Sequence, residues 1–108
     1  MKEPGIFLRH IMESIRHIED FSKGMDFADF STNRMKQSAI IRELEIIGEA
    51  AKNLPPEFTR KHPDVPWTRI AGLRDKLIHH YFGLNLERVW EVLEKDLPEL
   101  KAKIKRLL

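Results

Sequence analysis

The spacing of the apolar residues is the feature that most limits what this chain can fold into. Over positions 5–23, Leu8, Ile11, Ile15 and Ile18 recur at intervals of three and four residues, with Phe7, Met12 and Phe21 widening the stripe. That interval puts them on one side of an α-helix but on both sides of a strand, so the segment predicts an amphipathic helix. The same period returns in Ala39, Ile40, Leu44, Ile47, Ala51 and Leu54, and again in Trp67, Ile70, Leu73, Leu77 and Tyr81. A fourth helix is predicted around Val89, Val92 and Leu93. No stretch alternates as a half-buried strand would, and no repeat or low-complexity segment is present. The expected class is all-α, an antiparallel bundle of four to five helices in a single domain over 1–108.

Glycines, prolines and capping residues mark the boundaries. Gly24 suits a helix exit, and the acidic Met25–Phe30 stretch reads as a loop or short turn before Ser31-Thr32-Asn33, which supply N-cap chemistry. Pro55-Pro56 ends the second helix, because proline disfavours helical geometry in the residue before it. Four of the six prolines fall in 55–66, predicting a rigid connector with one helical turn at 57–61. Gly83 marks the exit of the third helix, Asn85 can cap the fourth, and Pro98 is expected to kink or end it.

Composition bounds the chemistry. A chain of 108 residues can hold one modest core but is too short to enclose a large cofactor alone, and pairing with a second copy would bury more surface. The absence of Cys excludes disulfides, thiolate metal sites, iron–sulfur clusters and Cys nucleophiles, and fits a reducing, cytoplasmic location. Apolar stretches are only a few residues long and Met-Lys-Glu-Pro-Gly lacks the apolar core of a signal peptide, so neither a membrane span nor standard secretion is expected. With 19 Lys plus Arg against 17 Asp plus Glu, bulk charge implies no nucleic-acid binding; such a claim must rest on where the charges sit.

Three of the five histidines have weak claims to chemistry. His10 and His17 share a face of the first helix but lie two turns apart, too far for one metal ion, and read as solvated. His62 sits among prolines without an evident partner. His79 and His80 differ: they fall in Leu73-Arg74-Asp75-Lys76-Leu77-Ile78-His79-His80-Tyr81-Phe82, which gathers two cations, a carboxylate, two imidazoles and a phenol. Asp75 and His79 are i, i+4 neighbours, so the carboxylate can fix the imidazole tautomer and raise its pKa. Arg74 lies roughly 140° around the helix from His79. Bringing both onto one phosphate needs a helix end or bend, the long reach of Arg, or a second copy of the helix.

RNA phosphodiester cleavage without metal needs a base for the 2′-hydroxyl proton, a cation for the phosphoryl oxygens and an acid for the leaving oxygen. His and Arg supply those functions: Arg offers a planar fork of donors, and a placed His typically gives about 10²- to 10⁴-fold. DNA, lacking the hydroxyl, would be refused. The same residues also fit a plain structural account, with Arg74 and Asp75 in surface pairs, the histidines capping a helix end and Tyr81 packed with its hydroxyl at the rim.

The segment resembles a known family, the HEPN domains, and within them the HepT toxins of bacterial and archaeal HepT/MntA toxin–antitoxin pairs. The resemblance is carried by Arg-x4-His-x-Tyr at Arg74, His79 and Tyr81, by Glu45-Ile46-Ile47-Gly48-Glu49-Ala50-Ala51, by the Pro63-to-Trp67 approach, and by Tyr81-Phe82-Gly83 followed by Val89-Trp90. It covers most of residues 6–100. It implies a HEPN-like homodimer whose facing helices bring Arg74 and His79 of both copies into one cleft. The implied activity is a metal-independent endoribonuclease, the toxin of a type VII-like pair, needing no cofactor. Arg74 and His79 would be catalytic, with Lys76 and His80 as candidate RNA contacts. HEPN motifs often have Asn after the Arg; Asp75 stands there here, which favours an orienting role toward His79 over RNA binding.

The resemblance also implies a partner, an MntA-like nucleotidyltransferase antitoxin that transfers AMP from ATP to the phenol oxygen of Tyr81. A phosphate-bearing group there would compete with RNA and pair with Arg74. The alternative from another class is a non-catalytic HEPN module, a dimeric adaptor or nucleotide-binding partner of the nucleotidyltransferase.

Other features read as structural. Glu45 and Glu49 lack a matching His and suit pairing with Arg42 and Lys52 rather than a metal. Gly48, costing about 1 kcal/mol in mid-helix, reads as a helix-crossing or dimer contact. The basic tail Lys101, Lys103, Lys105 and Arg106 reads as a solvated helix face, and Trp67 and Trp90 as core anchors.

Overall fold

The computed structural model describes residues 3–79 and 85–108, with Arg74 and residues 76–79 described by their backbone. Among the described residues every regular element is helical, which makes the chain all-α. The first helix, α1 (Pro4–Ser22), opens on a proline whose missing N–H would have found no intrahelical partner. Beyond it the chain turns at Gly24, whose φ of 74° only glycine adopts without strain, and the Met25 N–H donates to the Ser22 carbonyl at 2.9 Å.

The acidic stretch, expected to be a loop or short turn, instead enters a short helix, α2 (Phe27–Thr32). A reciprocal cap builds it. The Asp26 carboxylate accepts the Asp29 N–H at 2.8 Å, and the Asp29 carboxylate accepts the Asp26 N–H at 3.1 Å. The helix seats Phe30, fully buried, against Trp90 with ring centroids 5.3 Å apart. Asn33 then serves two helices. Its N–H donates to the Phe30 carbonyl, and its side chain accepts the Lys36 N–H at 3.0 Å to start α3 (Arg34–Lys52).

The prolines behave as expected, enclosing the short α4 (Pro56–Lys61) before α5 (Trp67–His79). Asn85 caps α6 (Leu86–Glu91) by accepting the Arg88 N–H at 3.2 Å. Here one expectation is corrected in part: Pro98 does not end the helical path, although the helix is distorted just before it. A π-helical turn at Val92–Asp96 leads directly into α7 (Leu97–Leu107), and the Leu97 N–H reaches back five residues to the Val92 carbonyl. Proline crowds the carbonyl four residues before it, and the wider turn makes room.

The core forms where the apolar spacing places it. Leu8, Ile11, Ile15 and Ile18 of α1 meet Ile40, Leu44, Ile47 and Ala51 of α3, and Trp67, Ile70, Leu97, Leu100 and Ile104 complete the same cluster. Each fully buried aliphatic side chain contributes about 1.5–3 kcal/mol. Contacts between α1 and α3 run in opposite directions along the two helices: Phe21 lies under Lys36, His17 meets Glu43, and Phe7 and His10 share a groove with Ile46, Glu49 and Asn53. The two helices are therefore antiparallel. α3 also packs along α5, and Gly48 is buried within α3.

Two polar expectations change and one gains a partner. His17 is exposed, as expected of a solvated face, and also holds the Glu43 carboxylate at 2.8 Å across the α1–α3 boundary. His62 has partners, since its carbonyl accepts the Trp67 indole N–H at 2.9 Å and its ring lies 4.6 Å from that of Phe58. The basic tail is tied into the fold through Lys101, paired with Glu19 at 2.9 Å, and Lys103, which donates to the Asp64 carbonyl at 2.7 Å. No described helix is long and apolar enough to cross a membrane.

Candidate active site

The candidate site is carried by α5, and the proline connector fixes where that helix starts. The Trp67 N–H donates to the Val65 carbonyl at 2.8 Å while its indole is tied to His62, and the Ile70 N–H closes the first turn on Pro66 at 3.0 Å. Buried Trp67 and Ile70 then hold the helix against the core. A residue can be displaced from this frame only by breaking the connector's hydrogen bonds or opening the α3–α5 contact.

From there α5 carries Arg74, Asp75, Lys76 and His79 on one continuous helical backbone. By register Asp75 and His79 stand one turn apart on one side, and Asp75 is exposed. The expected hydrogen bond between them involves a side chain outside the description. Arg74 stands roughly 140° from His79 around the helix, so a single α5 gathers Asp75 with His79 but not Arg74. His80 and Tyr81 lie outside the described residues.

Two clefts border the helices. The first lies between α5 and the stretch from the π-helical turn into α7. It holds about 110 Å³ over an apolar floor of Ile70, Leu73, Val92 and Leu97. Arg69 and Asp96 face each other across it, bonded at 3.2 Å. The sequence gives little sign of this cleft, because the two charges lie far apart along the chain.

The second cleft, about 350 Å³, lies between α1 and α3 and is lined by His10, Arg42, Glu45 and Glu49. Arg42 reaches Glu45 at 3.9 Å, and the Asn53 amide donates to the Glu49 carboxylate at 3.3 Å. Among the described residues no group of three or more His, Asp or Glu is arranged to hold a metal ion.

Among the described residues His17 has a pKa set by its neighbours: the hydrogen bond to Glu43 raises it above 6.5, desolvation works against that, and the charges of Glu43, Glu13 and Asp20 add to the increase.

The described chain is all-helical and carries Arg and His five residues apart on a core-packed helix, and comparison with known proteins gives its family. Residues 11–107 match the family model described as Ribonuclease HepT-like. A protein of Caldanaerobacter subterraneus named "Putative RNase" is 48% identical over 108 residues, covering 100% of this chain and 96% of its own length. A Thermococcus cleftensis protein named "Probable ribonuclease HepT" is 46% identical over 101 residues, covering 94% of this chain and 92% of its own. No solved structure matches significantly. The chain belongs to the HepT-like ribonuclease family.

Proposed function

We propose that the chain is a metal-independent endoribonuclease, the toxin of a type VII-like toxin–antitoxin pair, acting as a cytoplasmic homodimer. The observation that supports this most is that Arg74 and His79, two residues of the motif, lie on one helix of a HepT-like ribonuclease. In this reading His79 takes the 2′-hydroxyl proton and the 2′-oxygen forms a new bond to phosphorus. The bond to the 5′-oxygen breaks, and a second acid, His79 of the other copy, protonates that leaving oxygen. Arg74 stabilises charge on the phosphoryl oxygens. Two copies of α5 solve the angular separation of Arg74 and His79. Asp75 orients His79, while Lys76 and His80 contact RNA.

Silencing follows from the motif tyrosine. An MntA-like nucleotidyltransferase transfers AMP from ATP to the Tyr81 oxygen: the phenol oxygen–phosphorus bond forms, pyrophosphate leaves, and the phenol gives up its proton. The added phosphate then competes with RNA for Arg74.

The test combines cleavage with growth inhibition. Arg74→Ala and His79→Ala each abolish both, and chelation of divalent metal changes neither; normal cleavage by either variant overturns the assignment. After co-expression with the nucleotidyltransferase, the intact mass rises by one or more AMP units in the unaltered chain and not in Tyr81→Phe. An unmodified chain that still co-purifies with the enzyme and cuts no RNA points instead to a non-catalytic adaptor.

A further inference from the structure

Beside the proposed catalytic helix lies the α5–π-turn cleft, which the reaction as described does not use. Its floor is apolar, formed by Ile70, Leu73, Val92 and Leu97, and its volume of about 110 Å³ suits one flat ring. Its mouth is polar. The Arg69–Asp96 bond at 3.2 Å uses one guanidinium nitrogen and one carboxylate oxygen, leaving further donors and a second acceptor oxygen at the rim. An apolar slot with a donor and an acceptor on its edge matches a nucleobase, whose faces are apolar and whose edge carries both kinds of group.

Position on α5 strengthens the match. Arg69, Leu73 and Lys76 follow one another along one side of the helix by register, and Leu73 directly precedes Arg74. Leu73 stands about 120° around the helix from His79, so the cleft borders the Arg74 side of α5, where the phosphoryl oxygens are held in the reading above, and a nucleotide adjoining that phosphate comes beside it.

We propose that this cleft is a base-binding subsite that seats the nucleotide next to the scissile phosphate and selects a base bearing an exocyclic amino group. This rests on the ribonuclease reading above. Asp96 accepts the amino group, as a carboxylate accepts the amino group of cytosine, and Arg69 donates to the neighbouring acceptor. Uracil, which presents a carbonyl where cytosine presents its amino group, is disfavoured at Asp96.

The experiment uses short RNAs that differ only in cytosine or uracil at each nucleotide flanking the cut, with a 2′-deoxy sugar at the cut so that binding is measured without cleavage. At one flanking position the unaltered protein binds cytosine over uracil by about tenfold, and Asp96→Asn, at a half-exposed and isosteric site, narrows this to about twofold. Val92→Phe, which fills the slot from the wall opposite α5, also removes the preference. Equal binding of both RNAs by the unaltered protein overturns the proposal, as does a preference that survives in Asp96→Asn. Cleavage of the all-ribose RNAs separates the two readings. Binding with the preference but no cutting retains the subsite and overturns the ribonuclease assignment, whereas cutting without preference does the reverse.

Discussion

His17 Nδ1 lies 2.8 Å from the Glu43 carboxylate, joining α1 to α3 through residues 26 apart in the chain. A raised folded-state pKa means that folding favours the protonated ring. The resulting stabilisation is fully present below the unfolded value near 6.5 and is lost as pH rises through the folded value. We expect Tm to fall with increasing pH above 6.5, and His17→Gln to flatten that slope by lowering Tm at acidic pH while changing little at alkaline pH, where the contribution is already lost. Thermal melts across pH 5.5–8.5 decide it; parallel profiles would remove His17 as the cause.

Phe30→Ala empties a fully buried position against Trp90, and we expect a loss of about 3–5 kcal/mol in denaturant unfolding. Asp26→Ala removes half of the reciprocal cap that seats this phenylalanine and should cost about 1 kcal/mol. Equal losses from the two changes would mean that the cap, not the ring, holds α2 in place.

Gly72 lies inside α5, and a methyl group added there meets no atom within 4 Å. Gly72→Ala should therefore stabilise the chain by about 0.5–1 kcal/mol. If stability rises while RNA cleavage falls, the open space at Gly72 is occupied by RNA or a second copy during function.

Asp75→Asn tests the orienting role directly. Without the carboxylate that stands one turn from His79 by register, cleavage should slow by about tenfold while RNA affinity changes little. A loss of RNA affinity with the cleavage rate of bound RNA unchanged would assign Asp75 to binding instead.

Much of this architecture is legible in the sequence because it is local. Apolar spacing marks α1, α3 and α5 to within a few residues, and Asn33, Pro56 and Asn85 act at the boundaries where their chemistry suggests. The short α2 escapes notice because six residues cannot establish a period; its signal is the pair Asp26 and Asp29, three apart, in capping-box positions. His17–Glu43 and Arg69–Asp96 escape for a different reason, since each pairs side chains that only tertiary packing brings together. The candidate site divides in the same way. Arg74, Asp75 and His79 stand out through their spacing on one helix, whereas the cleft beside them depends on a π-helical turn without a clear sequence mark other than Pro98.

The arrangement of α3 between α1 and α5 has one more consequence. A helix leaning on a single central beam inherits that beam's alignment, so the backbone positions of Arg74 and His79 are set partly by core side chains elsewhere in the chain. Trimming Ile40 or Leu44 would tilt the support before it melted it. Damage to this enzyme can therefore begin as misaimed chemistry in a chain that still looks folded.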